Sequence, residues 1–76
     1  MAIEKVTLPV ARKIANLTQK QLADAVGVSE STVINWEKGR SEPTVNQAQT
    51  ISDTVGIPLD SIIFLPSKYG KTVSQG

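Results

Sequence analysis

LTQKQLADAVGVSESTVINWEKG, residues Leu17–Gly39, is the stretch on which the reading of this chain turns. Thr18, followed three residues later by Gln21, has the spacing of a capping box and opens a helix from Gln19 to Val26. Leu22, Ala23 and Val26 give that helix one apolar face. Gly27 supplies the positive φ that a tight C-cap wants. Only Val28 separates this glycine from Ser29, the cap of a further helix from Glu30 to Lys38 that Gly39 ends. Two helices joined by a tight turn that begins with glycine make a helix-turn-helix. Ala23 falls where the two helices cross, and a side chain larger than a methyl there would push them apart. Leu22, Val26, Val28, Val33 and Trp36 all fall at inward positions.

Working outward, residues 1–6 (MAIEKV) are mixed and unpatterned and read as an N-terminal arm. DNA and a protein partner are both open as its contact. Pro9 is tolerated only in a first turn, so Thr7 as cap with Leu8 and Pro9 opens a first helix that runs to Ala15 and stops at Asn16. Beyond the polar link Arg40-Ser41-Glu42-Pro43, Thr44 caps a fourth helix from Val45 to Val55. Its apolar residues Val45, Ala48, Ile51 and Val55 recur at helical intervals, and Gly56 closes it. Pro58 begins a short fifth helix through Leu59, Ile62, Ile63 and Phe64. The reading is all-α: a domain over residues 7–65, followed by a polar tail or linker at 66–76.

Composition removes most alternatives. The chain has 76 residues, 39% hydrophobic and 20% charged, which suits one small globular domain with a thin core. It has no cysteine and no histidine, so a thiolate nucleophile, a zinc–sulfur site, an imidazole-held metal and a His-based triad are all excluded. The carboxylates are scattered over surface and cap positions, and no enzyme activity, metal, cofactor or small-molecule ligand is expected. No apolar run approaches a membrane span and no stretch reads as a signal peptide, so a bacterial cytoplasm or nucleoid is the expected location. Eight Lys/Arg against seven Asp/Glu give a net charge of +1, which weakens long-range steering toward a polyanion without forbidding local contact.

The stretch Leu17–Gly39, continued by EPTVNQAQTISDTVGIPLDSII at Glu42–Ile63, resembles the Cro/phage-repressor (XRE) family of helix-turn-helix proteins. The resemblance spans residues 7 to 65. It implies a compact five-helix domain of the lambda-repressor type that binds double-stranded operator DNA in the major groove, usually as a dimer. It also implies a buried ion pair between the first and third helices, at Arg12 and Glu37, that holds the fold without touching DNA. Pro9 and the small Ala11 depart from the family pattern and leave the first helix short and its core thin.

The residues support the same surface independently. Stepping 100° per residue along the third helix puts Ser29, Val33, Trp36 and Glu37 on one side. Ser31, Ile34, Asn35 and Lys38 lie on the other, with Glu30 at the N-terminal end. Asn pairs bidentately with adenine, Glu accepts from cytosine N4, Ser does either, and an exposed Ile suits a thymine methyl. Glu30, Ser31, Ile34 and Asn35 are therefore the candidate base readers. In the family's docking mode Gln19 and the amides that open the second helix face a phosphate. Lys20, Ser29, Lys38, Arg40 and Thr44 are the further candidates for backbone contact. The acidic Glu30 and Glu42 beside that path lower nonspecific affinity.

A single helix reads few base pairs, and a two-fold dimer solves this with half-sites about 34 Å apart. The cluster Ile57, Leu59, Ile62, Ile63, Phe64 and Leu65 exceeds what one thin core covers. Ile63 and Leu65 are its expected dimer contacts, in a weak homodimer completed on DNA. A protein-interaction module, or an antitoxin-type autoregulator on the same helices, is the competing function. Whether the chain is whole, as a Cro-like protein would be, or the first domain of a longer repressor stays open.

Overall fold

The computed structural model describes residues 5–64. They form β1 (Val6–Thr7), α1 (Leu8–Ile14), α2 (Gln19–Val26), α3 (Glu30–Glu37) and α4 (Val45–Val55). A 3₁₀ turn at Leu59–Ser61 and β2 (Ile62–Ile63) follow. The local signals that open the helices act as their chemistry predicts. Thr18 and Thr44 each head a complete capping box, with Gln21 and Gln47 returning the hydrogen bond. The Ser29 hydroxyl accepts from the Thr32 amide and caps α3. Pro9 sits in the first turn of α1, and Asn16 takes a left-handed φ of 61° just beyond that helix. Gly27, at φ 87°, makes the tight turn between α2 and α3.

Leu8, Ala11, Leu22, Ala23, Val33, Trp36, Ile51, Val55 and Ile62 form the core, with Val26, Val28, Ile57 and Phe64 packed partly buried against it. Ala23 is almost wholly buried, in keeping with the crossing of α2 over α3. The small Ala11 is fully buried, so α1 packs close through it.

Four expectations are corrected. The fifth helix is absent: Pro58 is extended, one 3₁₀ turn follows, and Ile62 and Ile63 continue as a strand. Two adjacent β-branched isoleucines are stiff at χ1 and favour extended backbone. Their partner comes from the far end of the domain, with Val6 pairing Ile62 and Thr7 pairing Ile63 in a parallel register. The fold is therefore four helices closed by a two-stranded clasp, and Val6 belongs to the clasp instead of a loose arm. Val45, counted with the inner face of α4, is 81% exposed at the first position of that helix. The inner face is completed instead by Ser52, whose buried hydroxyl donates to the Ile57 carbonyl at 2.6 Å. Finally, α3 ends at Glu37, and Lys38 is its C-cap.

Candidate nucleic-acid interface

The packing of α3 decides which of its side chains are available. Val33 and Trp36 are buried, and Glu37 is drawn in toward α1. That leaves Glu30, Ser31 and Lys38 exposed on the opposite side, with Ile34 and Asn35 half-buried between them. The Ser31 hydroxyl and the Asn35 side-chain amide have no protein partner among the described residues, so their hydrogen-bonding groups are free for a ligand. Ile34 is less open than an exposed aliphatic residue would be, and shelter from its neighbours accounts for part of its presence on this face. Glu30 lies in the first turn of α3, where the helix dipole favours a carboxylate.

The residues expected at phosphates divide into two kinds. Lys38 and Arg40 are exposed, and Lys20 is exposed beside Asp24, with 3.7 Å between Nζ and the carboxylate. The two residues stand one helical turn apart on α2, the i,i+4 spacing of a surface ion pair. At such exposure it holds Lys20 weakly. Ser29 and Thr44 use their hydroxyls as helix caps, accepting from Thr32 and Gln47. Gln19 is half-buried, and its side-chain amide donates to Glu37 Oε1 at 2.9 Å.

Arg12 and Glu37 meet as the resemblance implied. Arg12 Nε donates to Glu37 Oε2 at 2.7 Å and Nη2 to Oε1 at 3.4 Å, while Nη1 donates to the Leu17 carbonyl at 2.9 Å. The carboxylate is 8% exposed. The ion pair thus ties α1 and the last residue of α3 to the loop before α2, through Arg12, and to the first residue of α2, through Glu37.

Both capping boxes leave the same pattern at their helix ends. In α2 the Thr18 and Gln21 amides are covered, and the Gln19 and Lys20 amides between them have no partner among the described residues. In α4 Thr44 and Gln47 are covered, and Val45 and Asn46 are open. Each open pair sits at a neutral helix N-terminus.

A shallow apolar groove of about 240 Å³ lies beside the start of α4. Pro43, Val45, Ala48, Leu59 and Phe64 line it, together with Glu42 and Thr44. Ile63, the expected dimer contact, is 39% exposed. Leu65, its expected companion, lies outside the described residues, as do most of the arm at 1–6 and all of the tail at 66–76. Sequence periodicity missed the groove because it assigned Val45 to the core. Among the described residues no helix is long and apolar enough to cross a membrane, and no cluster of carboxylates has the makings of a metal site.

Residues 10–62 match the model of the helix-turn-helix family. A transcriptional regulator of that type from Methanocaldococcus jannaschii is 39% identical over 51 residues, 67% of this chain and 77% of that protein. One from Methanothermobacter thermautotrophicus is 44% identical over 59 residues, 78% of this chain and 86% of its own length. The cryptic phage CTXphi transcriptional repressor RstR of Vibrio cholerae is 35% identical over 51 residues, 67% of this chain and 46% of the repressor.

Proposed function

Taking as premise that the chain belongs to the helix-turn-helix family, we propose that it is a sequence-specific DNA-binding transcriptional regulator. In this reading it is a phage-type repressor that binds palindromic operator DNA as a dimer. The observation that carries the reading is the outer face of α3. Ser31 and Asn35 keep unspent hydrogen-bonding groups there, next to Ile34 and Glu30, while the opposite face is committed to the core. Laid in a major groove, that face reads base edges through Asn35 and Ser31, with Ile34 against a thymine methyl and Glu30 toward a cytosine.

Backbone contacts fix the register. The open amides of Gln19 and Lys20 meet one phosphate, and Lys20, Lys38 and Arg40 neutralise others. With their hydroxyls used as caps, Ser29 and Thr44 contribute by shaping helix ends whose amides remain free. The dimer follows from exposed apolar surface that a single chain leaves uncovered: Val45, Ile63 and the groove between α4 and Phe64. The relative named as a phage repressor supports repression, which results wherever the operator overlaps a promoter.

The test is in vitro selection from random duplex DNA with wild type and Asn35→Ala in parallel. Wild type enriches an inverted repeat with half-sites about one helical turn apart, and the variant loses one defined base preference. Enrichment of nothing at low salt refutes operator binding by this chain and turns the search to a protein partner.

A further inference from the structure

Glu37 looks like a purely structural residue, yet its carboxylate has a third partner besides the two Arg12 nitrogens. That partner is the side-chain amide of Gln19, the first residue of α2 and the residue that carries one of the two open backbone amides. A carboxylate only accepts, so the NH₂ end of Gln19 must face Glu37 Oε1. An amide NH₂ has two hydrogens. One is spent on Glu37, and the other has no protein partner among the described residues.

We infer that Glu37 is a positioning residue for phosphate binding, acting through Gln19. It holds the Gln19 side chain so that its second N–H adds to the open backbone amides of Gln19 and Lys20 in one donor cluster for a single DNA phosphate. This rests on the DNA-binding reading above and extends it. Arg12 contributes at one remove, because its guanidinium fixes the carboxylate that fixes the amide. A glutamine free in solvent would lose its rotamer freedom on meeting the phosphate, whereas one already held has lost it on folding. The advantage of holding is about 3- to 10-fold in affinity. It is independent of DNA sequence, since the contact is to the backbone.

The experiment compares the affinity of the full chain for a short random-sequence duplex at low salt. Wild type, Gln19→Ala, Glu37→Gln and the double variant are measured by fluorescence anisotropy, with a thermal melt of each. Gln19→Ala is expected to weaken binding about 3- to 10-fold, and Glu37→Gln by a similar factor. Adding Glu37→Gln to Gln19→Ala then costs no further affinity, although it still lowers the melting temperature. Equal losses from Glu37→Gln in both backgrounds, or wild-type binding by Gln19→Ala, overturn the inference while the DNA reading stands. A wild-type chain that binds no duplex overturns both. Should Glu37→Gln fail to fold, NMR of the wild type carries the test. The Gln19 Nε2 proton held by Glu37 is expected to exchange with solvent more slowly than its partner, and saturating duplex moves the other one. Equal, solvent-like exchange of both protons, or a bound duplex that shifts neither, overturns the inference.

Discussion

Replacing Gln21 by Glu should make the protein more stable and a worse DNA binder, and the two signs together test the proposed docking. Gln21 closes the capping box of α2 by accepting from the Thr18 amide at 2.8 Å. A carboxylate of nearly the same shape accepts the same bond and places a negative charge at the positive end of the helix, worth about 0.3–1 kcal/mol. For a domain of this size the melting temperature should rise by roughly 1–8 °C. A phosphate held by the Gln19 and Lys20 amides would lie about 3 Å from them, hence roughly 6–7 Å from the new carboxylate. Repulsion at that distance is about 0.6 kcal/mol in bulk water and about 1.3 kcal/mol at an effective dielectric of roughly 40. Binding should weaken roughly 3- to 9-fold per protomer at low salt, and the loss should shrink as salt rises. Circular-dichroism melts and anisotropy titrations read the two effects. Lys13→Gln, on α1, lowers the net charge equally without approaching α2's N-terminus, and it controls for charge alone. If Gln21→Glu binds as tightly as wild type, or loses no more than Lys13→Gln, no phosphate sits at the start of α2.

Four further outcomes follow from the same geometry. Arg12→Ala strands a carboxylate that is 8% exposed and should cost about 3–5 kcal/mol, a large share of the roughly 4–11 kcal/mol available to a domain of this length. Urea unfolding of wild type and variant checks it, and a loss below about 1 kcal/mol would mean the pair is solvated in solution. Gly27→Ala meets no atom within 4 Å of its new methyl, so its cost is backbone strain alone at φ 87°, about 1–2 kcal/mol in the same unfolding experiment. Val45→Ser should weaken self-association about 10-fold per buried valine, read by sedimentation equilibrium without DNA, and an unchanged equilibrium would remove Val45 from the interface. The slope of log affinity against log salt should be near −2.7 per protomer, from Lys20, Lys38 and Arg40 at about 0.9 each, and a slope twice as steep would mean further cations reach the DNA.

What the sequence disclosed and what it hid divide along the range of the interactions. The capping boxes at Thr18 and Thr44, the turn at Gly27 and the inward phase of Leu22, Val33 and Trp36 depend on neighbours within a turn or two, so residue type and spacing reveal them. The strand pair does not: nothing near Val6 or Ile62 announces a partner at the other end of the domain, and Pro58 ahead of two isoleucines fits a helix start as well as an extended segment. Val45 failed for a related reason. It has the right phase for the α4 stripe, but it stands at the first position of the helix and is 81% exposed there. On α3, wheel position separated Ser31 and Asn35 from the core residues correctly. It could not tell that Ile34 is partly sheltered, or that the amide of Gln19 is engaged by Glu37.

The Arg12–Glu37 pair needs an explanation beyond stability. Taking two charges out of water costs about as much as their attraction returns, and an apolar pair of similar volume often serves a core as well or better. This core is thin and would gain from two more apolar side chains, yet the part-buried contact that joins α1, α2 and α3 is ionic. What an apolar pair could not supply are the directional bonds at its edges. The Leu17 carbonyl, in the loop between α1 and α2, accepts from Arg12, and the side-chain amide of Gln19, the first residue of α2, donates to Glu37. Both partners lie within three residues of Thr18, where α2 begins. The pair therefore fixes the loop entering α2 and the end of α3 relative to one another, setting where the open amides stand against the reading face of α3. A displacement of about 1 Å between those two groups would misalign one of them whenever the other is seated. The ion pair thereby sets the register between two halves of a binding surface that neither partner touches directly.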